Sequence, residues 1–280
     1  MPTIPLSPRV PRPRIRWRRS VDKLTAPQLA HVREAYTGIQ AIGDDRGYQH
    51  HAGVHGLPLP IYCQHTIGQQ FANLFLPWHR AYLYFFERAL RDRVPTLAQP
   101  WWDWTAPAPT NAAIPSAYAD RQAGGAANPL YSVRINAQAM NQAKQSGINL
   151  PPTTRRQPGL PGTALPTANE VAQLLTIGDY FTFSNQLEDL HGAVHVYVGG
   201  DTGHMSQVPL AAYDPIFWAH HAMIDRIWRM WQLRHPSPSF TADYLNTALP
   251  PFSLTVAQTL DVRAMGYDYA AGTTSVRVSG

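Results

Sequence analysis

Four segments of the chain repeat apolar residues at helical spacing, and long segments without such a repeat separate them. The pattern predicts helices over about residues 26–42, 78–91, 183–198 and 214–234. Thr25 stands directly before the first of these as a suitable N-cap. The sequence shows neither an internal repeat nor an interdomain linker, so we expect one domain over residues 1–280. The predicted fold class is mainly α, with a four-helix bundle core, long irregular loops and few short strands.

The segments between the helices are rich in proline, with 26 prolines in 280 residues, and only 15% of the chain is charged. Average soluble proteins have ~5% proline and ~25% charged residues, so much of this chain should be irregular. Residues 105–168 form the longest such segment. A loop of this length in a compact domain typically has a function or is packed against the rest of the fold. The sequence leaves a lid, an oligomer contact and an inert strap open as its role.

Residues 1–20 form a second irregular segment, in which prolines alternate with Arg9, Arg12, Arg14, Arg16, Arg18 and Arg19. We expect a solvated, extended arm strapped across the fold. The rest of the chain lacks the basic stripe that would favour nucleic acid or an anionic membrane as a partner. A polar segment rather than an apolar run follows Arg18-Arg19, so the sequence predicts no export signal and a location that is cytoplasmic or undefined. No apolar run approaches the roughly 18 residues of a membrane span.

Histidine has the most informative placement of any residue type, with 12 copies in the chain. His191 and His195 stand four apart in LEDLHGAVHVYVGG, so on a helix both imidazoles project from one face and suit one metal ion. This spacing also arises in ordinary helix packing. A zinc protease has glutamate directly after the first histidine, and Gly192 at that position disfavours a mononuclear zinc hydrolase.

A further histidine pair, His220 and His221, is adjacent in DPIFWAHHAMIDRIWRMW. Neighbouring helical residues point about 100° apart, so at most one of the two should join the face of His191 and His195. The other can bond a backbone carbonyl or a carboxylate behind the metal.

The N-terminal half contains a second set of histidines, with His55 in AGVHG, His65 in YCQH and His79 in FLPWHR. Two sets of three histidines predict a binuclear metal site inside a helical bundle. All-imidazole ligation suits copper, zinc, iron or nickel and does not select among them. The only cysteine, Cys63, excludes an internal disulfide and a cysteine-only metal site. Neighbouring aromatic residues predict a dry pocket that can stack a ring: Trp78, Tyr82, Phe85, Phe217 and Trp218.

These segments together resemble the type-3 binuclear copper family of tyrosinases, catechol oxidases (polyphenol oxidases) and molluscan-type hemocyanin units. The matching segments span roughly residues 15–270 and are DDRGYQHHAGVHGLP, YCQH, FLPWHRAYL, QPWWDWT, LEDLHGAVHVYVGG and DPIFWAHHAMIDRIW. The resemblance implies a four-helix bundle that holds two copper ions, with O₂ as co-substrate. It implies His55, His65 and His79 as ligands of the first copper, and His191, His195 and His221 as ligands of the second. His220 then lies behind the second copper.

The family resemblance also concerns Cys63, because fungal and molluscan relatives join a cysteine at this position to the second ligand by a thioether. Here that ligand is His65. His65 precedes His79 by 14 residues, where relatives commonly have nine between these ligands, so TIGQQFANL resembles an insertion. His50 and His51 are therefore reserve ligands should His65 not bind.

Glu188 matches the carboxylate that holds an ordered water over the copper pocket in the family, where it is thought to help deprotonate a monophenol. The partner of this carboxylate in the family is an asparagine, and Gly192 replaces it here. A carboxylate alone orients a basic water less well than a carboxylate with an amide. The resemblance also places Phe217 and Val208 at the pocket mouth, where they limit the bulk of the substrate.

The predicted function is therefore copper-dependent oxidation of o-diphenols to o-quinones by O₂, with ortho-hydroxylation of monophenols weak or absent. An o-aminophenol oxidase and a hemocyanin-like O₂ carrier are the alternatives. GYDYAAG (266–272) resembles the tyrosine motif that closes the family's core domain, and the expected absence of a shielding domain after it favours an enzyme. The expected partner is a small phenolic substrate, with neither nucleic acid nor membrane. A copper-delivery partner and the oligomeric state are left open.

Overall fold

A computed structural model describes residues 15–64, 73–106 and 111–271 of the chain. Its helices are α1 (Ala26–Gln40), α2 (Tyr48–His55), α3 (Phe75–Arg91), α4 (Ser116–Ala119), α5 (Ala137–Gln145), α6 (Ala168–Leu174), α7 (Tyr180–Gly199), α8 (Val208–Ala211), α9 (Ile216–Arg234), α10 (Ala242–Asn246) and α11 (Val256–Thr259). Its strands are β1 (Arg16–Arg18), β2 (Gln122–Ala123), β3 (Ala126–Ala127) and β4 (Tyr267–Tyr269). β1 pairs in parallel with β4, and β2 pairs antiparallel with β3. Within these ranges, no helix combines the length and the apolar character that crossing a bilayer requires.

The mainly α fold class predicted from the sequence is confirmed, and the four predicted helices correspond to α1, α3, α7 and α9. The largest departures at a boundary are the starts of α3 and α7, each three residues earlier than predicted, and α3 begins at Phe75 with Pro77 in its first turn. Proline is tolerated there because the first amides of a helix have no intrahelical acceptor. Thr25 caps α1 as expected, in a capping box with Gln28.

Helices α3 and α9 form the centre of the molecule, and most of their side chains are buried. The rings of Phe86 and Trp218 stack across their interface with centroids 3.4 Å apart and an interplanar angle of 9°. Tyr82 lies on the same interface, 4.7 Å from Trp218. Buried aromatic rings of this size contribute strongly to the hydrophobic free energy of folding. The metal-binding candidates on these two helices therefore lie in the buried centre of the structure.

Helix α2 was not predicted, because its sequence YQHHAGVH is short and combines polar residues with glycine. Its stability comes from tertiary contacts, in which the Tyr48 hydroxyl donates to the carbonyl of Tyr213 at 3.1 Å. The chain leaves α2 at Gly56, where a Cβ would lie 2.3 Å from the carbonyl oxygen of Pro209. Only glycine permits this close approach. α2 is thereby held against α8.

The segment 105–168 is more regular than its sequence suggested, since its described part contains α4, α5 and the β2–β3 hairpin. Leu130, Ile135 and Ala139 from this part join the hydrophobic core. Arg156 fastens it to the start of α9 through hydrogen bonds to Asp214, the closest 2.5 Å long. Asp214 also accepts a hydrogen bond from the backbone amide of Ile216 in the first turn of α9.

The described end of the arginine-rich arm, residues 15–20, contains strand β1, and its Arg18 side chain is buried rather than solvated. Arg18 donates to Glu87 of α3 at 2.8 Å and to Asp225 of α9 at 3.1 Å. Its guanidinium also lies over the Tyr267 ring, 3.7 Å from the centroid. Burial is possible because these carboxylates compensate the charge.

Asp225 is the centre of this buried network, and it joins four parts of the chain. Arg80 of α3 donates to it at 2.5 Å, and Tyr267 and Tyr269 of β4 donate at 2.7 and 2.5 Å. Burial by itself would raise the pKa of Asp225, but the charges of Arg80 and Arg18 hold this pKa below its ordinary value. The ionised carboxylate thus ties α3, α9 and the two terminal strands together.

Asp225→Ala should therefore destabilise the metal-free protein by about 3–5 kcal/mol, because it leaves the buried Arg80 without a carboxylate and the buried Arg18 with only that of Glu87. Urea denaturation followed by circular dichroism measures this change. Arg46→Ala is the matched control, since it breaks the ion pair of Arg46 with Asp44 on the exposed surface and should leave the midpoint unchanged. Equal midpoints for Asp225→Ala and the unmodified protein would contradict the central role of Asp225.

Candidate metal centre

The C-terminal histidine set converges on one point between α7 and α9. Nε2 of His221 lies 3.2 Å from Nε2 of His191 and 3.3 Å from Nε2 of His195. Two metal–nitrogen bonds of roughly 2.0–2.1 Å at a tetrahedral angle, as in zinc–imidazole sites, would place their nitrogens about 3.3 Å apart. The three nitrogens thus have the spacing of ligands around a single ion.

Burial and neighbouring imidazoles keep His221 in the form that binds metal. The pKa of His221 is lowered well below its ordinary value, first by burial and then by His79 and His191. A neutral imidazole has a free lone pair, which a metal ion requires.

His220, the other member of the adjacent pair, packs against the same cluster through the ring of His191. Its ring stacks on that of His191 with centroids 5.2 Å apart and an interplanar angle of 14°. Among the described residues, neither of its ring nitrogens has a hydrogen-bond partner of good geometry. One nitrogen of His220 lies in a group with His191, His195 and His221 whose ligand atoms are all within 4.8 Å of one another. The structure brings all four histidines together, with the shortest nitrogen distances at His221.

The N-terminal set brings His55 of α2 and His79 of α3 together with Cys63. Their ligand atoms lie within 4.8 Å of one another, and Sγ of Cys63 is 3.6 Å from Nε2 of His79. His65, the remaining member of the predicted set, lies outside the described residues. Burial, followed by the charge of Glu188, raises the pKa of the Cys63 thiol. Because His65 lies outside the described residues, the predicted thioether between Cys63 and His65 stays a prediction.

The reserve ligands do not belong to either cluster. The ring of His51 packs against Phe86 at 5.8 Å, and His50 is exposed on the outer side of α2. Burial lowers the pKa of His51 to about 4. The structure therefore gives neither residue a place beside His55 and His79.

Backbone carbonyls orient the imidazoles of both sets, a feature that the sequence did not reveal. Nδ1 of His55 bonds the carbonyl of Val208 at 3.0 Å, and Nδ1 of His195 bonds the carbonyl of Met205 at 2.7 Å. One short segment thus holds one histidine of each set. Nδ1 of His79 bonds the carbonyl of Phe75 at 2.8 Å. Each bond fixes the ring and leaves Nε2 for a metal, but every residue has a carbonyl, so no sequence signal could have found these partners.

The two sets lie directly beside each other. The rings of His79 and His221 stack with centroids 4.5 Å apart and an interplanar angle of 19°. His55 and His221 are 6.3 Å apart by the same measure. Two adjacent groups of imidazoles, each with Nε2 directed inward, fit two metal ions in one pocket.

Phe217 contacts the histidine clusters directly, and the other predicted site residues neighbour candidate ligands on α7 or through the carbonyl of Val208. Phe217 is buried, with its ring 4.0 Å from that of His221 and 4.8 Å from that of His55. Glu188 is buried on α7, and Val208 is 46% exposed at the start of α8. A Cβ added to Gly192 would meet no described atom within 4 Å outside the adjoining residues and the nearby backbone of α7, so there is space for a side chain to begin at this position.

Comparisons with known proteins place these observations in a family. Residues 45–234 match the model of the common central domain of tyrosinase. Over 184 residues the chain is 35% identical to the tyrosinase of Streptomyces glaucescens, which covers 59% of this chain and 65% of that protein. A functional unit of octopus hemocyanin superposes with a TM-score of 0.74 and 26% identity, covering 91% of this chain and 68% of the unit.

A tyrosinase of Burkholderia thailandensis shares the fold with a TM-score of 0.76 and 22% identity, over 92% of this chain and 75% of that protein. The chain thus spans slightly less than two thirds of the Streptomyces protein that it matches. The family match covers both histidine sets, and the donor set, which is imidazole held by backbone carbonyls, fits two copper ions. The chain belongs to the tyrosinase family of type-3 binuclear copper proteins.

Proposed function

We propose that the chain is a copper oxidase that converts o-diphenols to o-quinones with O₂. The observation that carries the proposal is the pair of adjacent imidazole clusters, with His79 stacked on His221, beside the open space at Gly192. His55, His79 and the proposed ligand His65 would hold the first copper. The second would be held by His191, His195 and His221. Copper supplies the electron transfer between the phenol and O₂ when it is bound.

The protein's own part in this reaction is to position the phenol and exclude water. Phe217 provides a buried apolar wall against the rings of His55 and His221. Such a wall favours an aromatic substrate over a polar one. Val208 provides an exposed apolar side chain next to the carbonyl that holds His55. A ring that enters along these side chains would have its hydroxyl groups directed toward the histidine clusters.

Glu188 is the proposed acceptor for the phenolic proton. Its carboxylate is buried on α7, one helical turn before Gly192, and its charge reaches Cys63 beside the first histidine set. A buried carboxylate can hold a water or take a proton at one of its oxygens. Because Gly192 offers no amide to share this water, we propose that monophenols, which must lose their proton on entry, react more slowly than o-diphenols.

An O₂ carrier is the second candidate, and the fold shared with an octopus hemocyanin unit supports it. Two observations favour the oxidase. Gly192, directly after His191, has an open Cβ position and Val208 is exposed, and we propose that a phenol approaches the histidines along these residues. The chain also resembles a Streptomyces tyrosinase at 35% identity. An o-aminophenol differs from an o-diphenol by one heteroatom and would fit the same space.

Oxygen uptake by the copper-loaded protein tests the proposal, with catechol, a matched monophenol and o-aminophenol as substrates. Fast uptake with catechol supports the oxidase, and faster uptake with o-aminophenol would reassign the substrate. Reversible O₂ binding, without turnover of any of the three, would move the protein to the carriers and overturn the proposal.

His195→Ala should remove one copper per chain, because it deletes a nitrogen 3.3 Å from that of His221. Oxidase activity should fall more than about a hundredfold, which exceeds the usual loss for an outer-shell partner. Metal analysis and oxygen uptake measure the two effects. His31→Ala, on the exposed side of α1, should keep both coppers. Full activity with two coppers in His195→Ala would contradict the assigned second site.

Gly192→Asn should raise the ratio of monophenol to diphenol turnover by roughly tenfold, since an added amide can orient the water of Glu188 as a base. The position accepts a Cβ, because no described atom outside the adjoining residues and the nearby backbone of α7 lies within 4 Å of it. Gly192→Leu adds similar bulk without an amide and should leave the ratio unchanged. Equal ratios for Gly192→Asn and the unmodified protein would refute the role of the water.

A further inference from the structure

Asn73 is a buried asparagine just before α3, and its side chain is hydrogen-bonded at both ends to α7. Its Oδ1 accepts from the hydroxyl of Ser184 at 2.7 Å, and its Nδ2 donates to Oδ1 of Asn185 at 2.6 Å. Nδ2 also contacts the carbonyl of Phe181 at 3.4 Å. The backbone carbonyl of Asn73 accepts from the hydroxyl of Tyr244 at 2.8 Å. We call this group, Asn73 with Ser184, Asn185 and Tyr244, the Asn73 latch.

Asn73 lies two residues before Phe75, whose ring contacts one histidine of each set. The Phe75 ring is 4.8 Å from that of His79 and 4.9 Å from that of His191, by centroids. Its carbonyl also holds Nδ1 of His79 at 2.8 Å. A shift of Phe75 relative to α7 would therefore rotate His79 and change its distance from His191.

Besides the burial of its first residues and the bond that Trp78 Nε1 donates to the carbonyl of Pro250 at 2.7 Å, the start of α3 has no side-chain cap of its own. Its N-cap residue, Leu74, makes no side-chain hydrogen bond to the helix. Polar side chains that cap a first turn usually stabilise it by about 1 kcal/mol, and this one lacks such a cap. The latch supplies tertiary bonds in place of the local ones. Asn73 itself belongs to TIGQQFANL, the segment that resembles an insertion between His65 and His79.

We infer that Asn73 is a positioning residue of the metal centre, an inference that rests on the proposed copper site. It holds the start of α3 on α7 and so keeps His79 in place for the first copper. The second copper depends on it less, because His195, one of its proposed ligands, is held by the carbonyl of Met205 and not by the start of α3. Asn73 touches neither metal nor substrate in this role.

Release of copper to a chelator tests the inference, with copper per chain measured before and during release. Asn73→Ala should release one of the two coppers about tenfold faster, as is typical when a residue behind a ligand is lost, and the other at the unmodified rate. Asn73→Asp should release both at nearly the unmodified rate, because its carboxylate still accepts from Ser184 and the Asn185 amide can turn to donate. In a His195→Ala background, Asn73→Ala should accelerate release of the remaining copper.

Asn128→Ala is the matched control, because Asn128 is similarly buried and hydrogen-bonded to backbone groups outside the two histidine sets. Its Nδ2 donates to the carbonyls of Ala117 and Asp120, and its Oδ1 accepts from the amide of Leu130. This variant should lose thermal stability yet release both coppers at the unmodified rates.

The inference is overturned if Asn73→Ala releases both coppers at the unmodified rate, or accelerates both equally as a general loosening would. An unmodified protein that binds fewer than two coppers would overturn both this inference and the proposed function. One that binds two coppers, shows selective release in Asn73→Ala and oxidises none of the phenols would overturn the proposed function alone.

Discussion

The carboxylate of Asp225 sets the register of the two central helices, and the metal centre depends on that register. Asp225 follows His221 by one helical turn on α9, and its partner Arg80 follows His79 directly on α3. The bond between them therefore fixes the place where His79 and His221 stack. Arg80 also lies over the Trp228 ring, 3.5 Å from its centroid, so the ion pair is enclosed by apolar surface. In such surroundings a broken pair costs much more than an exposed one.

The ion-pair network is joined to the ends of the described chain. Arg18 of β1 and Tyr269 of β4 both reach Asp225, and Arg18 also bonds Glu87 of α3. The terminal strands thus stabilise the helices that carry the histidines, although they contribute no residue to the histidine clusters. The sequence predicts a solvated basic arm, but strand β1 is anchored to the core because Arg18 pairs with the buried carboxylates of Glu87 and Asp225.

Within this frame, backbone groups place the imidazoles more finely than helix geometry alone could. The carbonyls of Met205 and Val208 hold one histidine from each set, and the carbonyl of Phe75 holds a third. A carbonyl that accepts the Nδ1 proton fixes both the tautomer and the direction of Nε2. A site for two ions requires such preorganisation. Inward-pointing imidazoles stay close to one another only if hydrogen bonds at Nδ1, such as these, hold the rings.

The sequence by itself determined the four long helices and the pairing of histidines with helix faces, because apolar periodicity and the four-residue spacing of His191 and His195 are local properties of the chain. It also indicated the family, through FLPWHR and DPIFWAHH. The tertiary structure alone decided that α2 is a helix, that Arg18 is buried, and that Asn73 joins α3 to α7. Each of these depends on partners distant in the chain, such as Tyr213, Asp225 and Ser184, whose proximity no local pattern encodes.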